Sequence, residues 1–167
     1  MRLETDRLVL RPWRDEEAPR LLDILSRVEV VRWLDDGPPK LMADLDAARS
    51  RIAEWRNAEA PRGRWAIEVA ETGAPAGTVL LDHIPQSDAL VQIGWYLHPD
   101  SHGHGYASEA AAALLAHGLA SGLSEIHALT NIDNYPSQAV ARRIGMTDLG
   151  VTSDWYPEPS QHFLATA

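Results

Sequence analysis

The sequence predicts an α/β chain built on one mixed, mostly antiparallel sheet of about six to seven strands flanked by about four helices. Three observations predict it. Residues 64–97 hold three short apolar runs, RWAIEVA (64–70), GTVLLDH (77–83) and VQIGWYL (91–97), joined by the turn-rich ETGAPA and IPQSDAL. That pattern is an antiparallel meander. The third run enters a glycine loop, HPDSHGHG (98–105), followed by an alanine-rich helix. The strand SEIHALT (124–130) is reached only through that helix, so it is expected to lie parallel to 91–97.

The other elements follow in order. Leu8, Val9 and Leu10, between Arg7 and Arg11, read as a first strand closed by Pro12. Asp15 is placed to cap a helix whose apolar stripe is Ala18, Leu21, Leu22, Leu25 and Val28. Val30 to Leu34 is short and apolar, and DDGPPK (35–40) is a loop. Leu41, Leu45, Ala48, Ile52 and Trp55 predict a second amphipathic helix. PRG (61–63) breaks the chain before the meander. The helix after Gly105 is expected to run to about Gly122, its small residues allowing it to lie close to the sheet. NIDNYPSQAVARRIGM (131–146) reads as a loop, then a helix from Pro136 that stops at Gly145. The tail offers strands near 146–152 and 161–165 around a proline-rich turn.

The glycine loop carries the chemistry. Gly103 and Gly105 allow tight turning and close approach to a ligand. The helix start that follows presents N–H groups without intrahelical partners at the positive end of the helix dipole. Together these form an anion site suited to phosphate or pyrophosphate. Glu109 falls in the first turn, where a carboxylate suits the dipole. An isolated loop of this kind is more often a plain strand-to-helix turn. No Gly-Lys-Ser/Thr follows, the one lysine in the chain is Lys40, and the glycine spacing is not that of a dinucleotide fingerprint.

At 167 residues the chain is expected to form a single domain, 1–167. Its 45% apolar and 23% charged residues are ordinary for a globular protein. No apolar run spans a membrane, the N-terminus has no signal-peptide pattern, and cysteine is absent. These features fit a cytoplasmic protein and exclude disulfides, thiolate metal sites and a cysteine nucleophile. A net charge of −9 argues against nucleic-acid binding and would suit a cationic substrate such as an amine.

Three stretches, in order and correctly spaced, resemble one family. TDRLVLRPW (5–13), IGWYLHPDSHGHGYASEA (93–110) and NIDNYPSQAVARRIGM (131–146) are similar to the opening, the acetyl-CoA motif and the second motif of the GCN5-related N-acetyltransferase (GNAT) superfamily. They resemble most its ribosomal-protein-alanine acetyltransferase-like branch. The family's loop begins with Arg or Gln, where this chain has His102.

The resemblance implies a GNAT acyl-CoA acyltransferase fold and transfer of an acetyl group from acetyl-CoA to an amine, without a metal. It implies that the backbone of Trp95 and Leu97 pairs with the pantetheine arm of CoA. A strand N–H near Trp95 would stabilise the developing oxyanion. The pyrophosphate would rest on the N–H groups of Gly103, His104, Gly105, Tyr106, Ala107 and Ser108, with His102 touching the phosphates. An imidazole there binds best when protonated. Asn134 would bond the pantetheine arm, or else simply form the turn. Ser137 matches the residue that protonates the leaving thiolate, its alternative being a helix-start serine bonded to backbone. Tyr135 is the second candidate acid. Trp33 falls where the family places an acceptor-side lid, with Asp35 and Asp36 available to attract a cation.

An alkylamine must lose a proton before it attacks, so a base or a water path is needed. Glu68 and His83 read as structural, and Gln92 cannot be a base. His98, His102 and His104 invite a metal, but no fourth ligand has recognisable spacing. The first expectation for the acceptor is a protein or peptide N-terminus. The second is a small amine such as an amino acid, polyamine or antibiotic. The third is a non-catalytic acyl-CoA-binding module, and a CoA-unrelated phosphate binder comes last. The resemblance also implies a homodimer formed through the sheet, and the tail could equally fold back in one chain or exchange with a partner.

Overall fold

A computed structural model describes residues 1–167 apart from 35, 36, 61 and 88. Eight strands form one sheet: β1 (Leu3–Glu4), β2 (Leu8–Arg11), β3 (Gly63–Val69), β4 (Pro75–His83), β5 (Val91–Leu97), β6 (Glu125–Asn131), β7 (Thr147–Thr152) and β8 (Ser160–Thr166). Five helices accompany it: α1 (Ala18–Leu25), α2 (Val28–Val31), α3 (Leu45–Arg56), α4 (Tyr106–Ala120) and α5 (Tyr135–Arg143). The sheet order is β1-β2-β3-β4-β5-β6-β8-β7. All pairs are antiparallel except β5 with β6, as the crossover through α4 requires.

Both faces of the sheet are covered. On one, Ala110, Ala111 and Leu114 of α4 pack on Leu10, Ile67, Leu81, Ile93, Ile126 and Phe163. α4 lies close because its residue over β6 is Gly118, where a Cβ would stand 2.6 Å from Cδ1 of Ile126. On the other face, Leu21 and Ile24 of α1 and Ala48 and Ile52 of α3 enclose Trp13 and Ala66.

Three local expectations need correction. Asp44, not Leu41, marks the start of α3: its carboxylate accepts the Ala47 N–H at 2.8 Å, so the helix begins there and Leu41 stays exposed. The first helical segment ends at Leu25, leaving Val28 exposed at the start of the separate turn α2. Asp15 does not cap α1; it opens a 3-10 turn, Asp15–Glu17, and Pro19 stands in the first turn of the helix proper. The two-residue β1 carries too little pattern to be read from sequence.

Candidate active site

β5 and β6 share a single rung, Gln92 opposite His127, and then separate. The gap is a cleft of about 1070 Å³. Gly94, Trp95 and Leu97 of β5 and Ala128, Leu129 and Thr130 of β6 line its walls. Strand separation leaves main-chain donors and acceptors of the β5 edge without a neighbouring strand, which is the requirement for an extended ligand to pair there. Thr130 carries the matching signal on β6. Its Oγ1 is buried and has no hydrogen-bond partner among the described residues. A buried unpaired hydroxyl is costly, so its place in the cleft wall suits a polar ligand.

The glycine loop closes one end. Gly103 and Gly105 both have φ of +78°, the left-handed region that glycine adopts without strain. Gly105 is the N-cap of α4 and brings no side chain to cap it. The first helical N–H groups, of Tyr106, Ala107 and Ser108, are therefore left for an anion.

Two arginines hold this end. The Glu109 carboxylate accepts the Thr5 hydroxyl at 2.6 Å, the Arg7 N–H at 2.9 Å and Arg7 Nε at 2.7 Å. Arg7 Nη1 in turn donates to the carbonyl of His104 at 2.8 Å, strapping the loop to the chain before β2. Burial alone would raise the Glu109 pKa; hydrogen bonds from Thr5 and Arg7 outweigh it and hold the carboxyl below its ordinary value. Arg143, at the end of α5, donates to Ser108 Oγ at 2.7 Å.

The three loop histidines do not converge. His98 is buried, with Nε2 2.8 Å from Asp23 Oδ2 and Nδ1 accepting the Asp100 N–H at 3.0 Å. His104 stacks on Tyr106 with ring centroids 5.1 Å apart. His102 alone of the three faces the cleft.

Asn134 is buried and caps α5, its Oδ1 accepting the Ser137 N–H at 3.3 Å. Ser137 lines the cleft half-buried, and its hydroxyl has no hydrogen-bond partner among the described residues. Tyr135 is not brought to this group: it is 68% exposed and outside the cleft lining. Pro136 follows it in the first turn of the helix.

The opposite end of the cleft lies on the α1–α3 face. Trp33 is there, under the Arg32 guanidinium at 4.2 Å from the ring centroid. Asp35 and Asp36 lie outside the described residues. Asp82 of β4 stands opposite Gln92 and is ion-paired to Arg64. Gln92 Nε2 donates to the Tyr156 hydroxyl at 2.7 Å. Tyr96 also lines this region. Burial pushes its hydroxyl up to about 12, only partly offset by a hydrogen bond with Thr78, so it stays protonated and is no base.

Glu68 is structural. Arg11 Nε donates to it at 2.6 Å, and it is not part of the cleft lining. His83, by contrast, reaches the lining. Asp82, Arg64, Thr130, Tyr156 and Arg143 escaped the sequence reading. For Asp82 the period of two from Leu80 was an available signal. The others meet the cleft only through long-range packing.

The comparisons with known proteins match this architecture. Residues 7–147 match the model of the acetyltransferase (GNAT) domain. The chain belongs to that family. The GNAT domain spans β2 to the start of β7 and so includes both sides of the cleft. The chain is 31% identical over 152 residues to the uncharacterised N-acetyltransferase YoaA of Bacillus subtilis, covering 89% of this chain and 84% of YoaA. An acetyltransferase of Agrobacterium tumefaciens is 28% identical with a TM-score of 0.77, covering 100% of this chain and 95% of that one. A GNAT-family acetyltransferase from Bacillus anthracis, 21% identical, shares the fold with a TM-score of 0.83 over 99% of this chain and 98% of its own. The protein is therefore an acetyltransferase of a family that uses acetyl-CoA.

Proposed function

We propose that this GNAT enzyme acetylates a primary amine at a protein or peptide N-terminus. The observation that carries the reading is the β5–β6 separation, with the Gly105-capped start of α4 at one end and an open mouth beside Trp33 at the other. The cleft volume of about 1070 Å³ lies just above the ~300–1,000 Å³ usual for small-molecule sites. That leaves space at the Trp33 mouth for a chain end. Two fold neighbours hold ligands that fit this arrangement. Mycobacterium smegmatis RimJ, with a TM-score of 0.78, is in complex with a CoA-disulfide. The Microcin C7 self-immunity acetyltransferase MccE, with a TM-score of 0.79, is in complex with acetyl-CoA and AMP.

Acetyl-CoA supplies an acyl group activated as a thioester. The chain's part is to bind, orient and manage protons. The N–H groups of Gly103 to Ser108 hold the pyrophosphate, with Arg143 beside Ser108 adding positive charge and His102 at the loop offering a ring nitrogen. The β5 edge at Trp95 and Leu97 holds the extended arm, and Thr130 Oγ1 and Asn134 offer side-chain partners from the other wall. A β5 N–H faces the carbonyl oxygen as charge develops there. Ser137 Oγ, unpartnered in the wall, donates to the departing sulfur. Gln92 cannot take the amine's proton and the Asp82 carboxylate is engaged by Arg64, which leaves His83, Glu158 or water in the cleft to accept it.

The test is thiol release from acetyl-CoA with a panel of peptides and small amines, repeated with Ser137→Ala. Turnover restricted to peptides supports the N-terminal reading; turnover restricted to small amines rejects it. Loss of about 10²-fold or more in kcat with CoA affinity unchanged is expected for Ser137→Ala if it is the acid.

A further inference from the structure

The chain carries a net charge of −9, yet its unpaired cations collect in one place. Nearly every arginine has a carboxylate partner, from Arg2 with Glu4 to Arg142 with Asp148. Among the described residues the basic side chains with none are Arg32, Lys40 and Arg143. All three line the cleft. Arg143 sits at the phosphate end, against Ser108. Arg32 and Lys40 are at the other end, where Arg32 lies on the Trp33 ring instead of meeting a carboxylate.

We infer that the acceptor carries an anionic group close to its reactive amine, and that Arg32 and Lys40 receive it. This rests on reading the Trp33 mouth as the acceptor end. The physical reason is the contrast with the rest of the surface. In an acidic protein, cations left without internal partners must be satisfied by solvent or ligand, and their field is focused by the low-dielectric walls of a cleft. The carboxylates on the same lining are placed differently. Glu29 is paired with Arg27 and Asp82 with Arg64, while Glu158, on the segment before β8, has no cation partner among the described residues. That leaves Glu158 for the ammonium and Arg32 and Lys40 for the anion. The arrangement selects an amine with a neighbouring carboxylate or phosphate. In a peptide this is an acidic side chain in the first residues; in a small molecule it is the compound's own anionic group. The overall charge alone points to a cationic substrate, but the cations left without a carboxylate partner among the described residues at the acceptor mouth, Arg32 and Lys40, call for an anionic group beside the amine.

The experiment compares matched acceptors that differ only in the anion, with the CoA-loaded protein. Phosphoethanolamine is set against ethanolamine, and the peptide Ser-Glu-Glu-Ala against Ser-Gln-Gln-Ala. Binding is followed by calorimetry and transfer by thiol release. The anionic member of at least one pair should bind about tenfold more tightly, the worth of one charge-assisted contact. The preference should shrink from 10 mM to 1 M salt and vanish in Arg32→Gln/Lys40→Gln, but not in the surface control Arg49→Gln. Which pair responds tells a peptide anion from a small-molecule one. Equal binding within both pairs, preference for the neutral members, or a preference unchanged in the double variant would each overturn the inference. Thiol release reports separately on the acceptor reading. Anion-selective binding without transfer to any amine would sink that reading and leave the anion site standing.

Discussion

Glu109→Gln tests whether the strap between the N-terminal segment and the glycine loop is held by charge. The carboxylate accepts from Thr5, from the Arg7 main chain and from the Arg7 guanidinium, and its side chain is only 19% exposed. Glutamine keeps the shape and one acceptor oxygen but turns an amide NH₂ toward donors. Hydrogen bonds to charged groups contribute about 1.5–3 kcal/mol each. Arg7 is half exposed, which reduces its share to about 1 kcal/mol or less. The sum is a loss of about 2–3 kcal/mol at neutral pH, or roughly 5–10 °C in Tm for a chain of this size. The sign with pH is fixed by the lowered pKa of Glu109. The stabilisation is complete above the ordinary value of 4.5 and disappears as pH falls through the lower folded value. Urea unfolding from pH 7 downward should therefore show a gap between the two proteins that holds to about pH 4.5 and narrows below it. Because Arg7 also holds the His104 carbonyl, the KM for acetyl-CoA should rise several-fold in the variant. Equal stability at pH 7, or a gap that does not narrow as pH falls below 4.5, would refute the charge argument. An unchanged KM would refute its link to the cofactor loop.

Other outcomes follow from single positions. Gly105→Ala places a Cβ on a residue at φ +78°, and the loss should be about 1–2 kcal/mol with weaker CoA binding, read by thermal melts and calorimetry. Thr130→Val removes a buried hydroxyl that has no partner among the described residues. The ligand-free protein should gain about 1 kcal/mol, while CoA affinity falls; a stability loss would mean the hydroxyl is satisfied after all. Burial, then the charge of neighbouring His127, holds His162 below its ordinary 6.5. A depressed histidine binds more protons unfolded, so stability is full above pH 6.5 and declines as pH falls toward the folded value. Melts between pH 8 and pH 5 should show that decline, and His162→Gln should flatten it.

Much of the fold was legible because its signals are local. Alternation in 64–97, the 3.6-residue stripes and the turn residues report backbone state directly, and a helix between 91–97 and 124–130 dictates a parallel pair. The glycine loop and the Pro136 helix start were legible for the same reason, whereas the Asn134 cap was not read from the sequence. Boundaries were missed where a cap competed with hydrophobic spacing, as Asp44 did with Leu41.

The site was legible only along one strand, one loop and one helix start. Ser137, His102 and Trp33 could be placed beside the cleft from motif resemblance. That Tyr135 points away and that Thr130 Oγ1 has no partner among the described residues depend on how elements distant in sequence pack. Charge shows the division most clearly. Composition sums every side chain to −9, and that total is a property of the sequence alone. Which cations remain unpaired is decided by folding, because Coulomb attraction acts over a few ångströms and only the tertiary structure brings Arg7 to Glu109, Arg20 to Asp100, and no carboxylate among the described residues to Arg32.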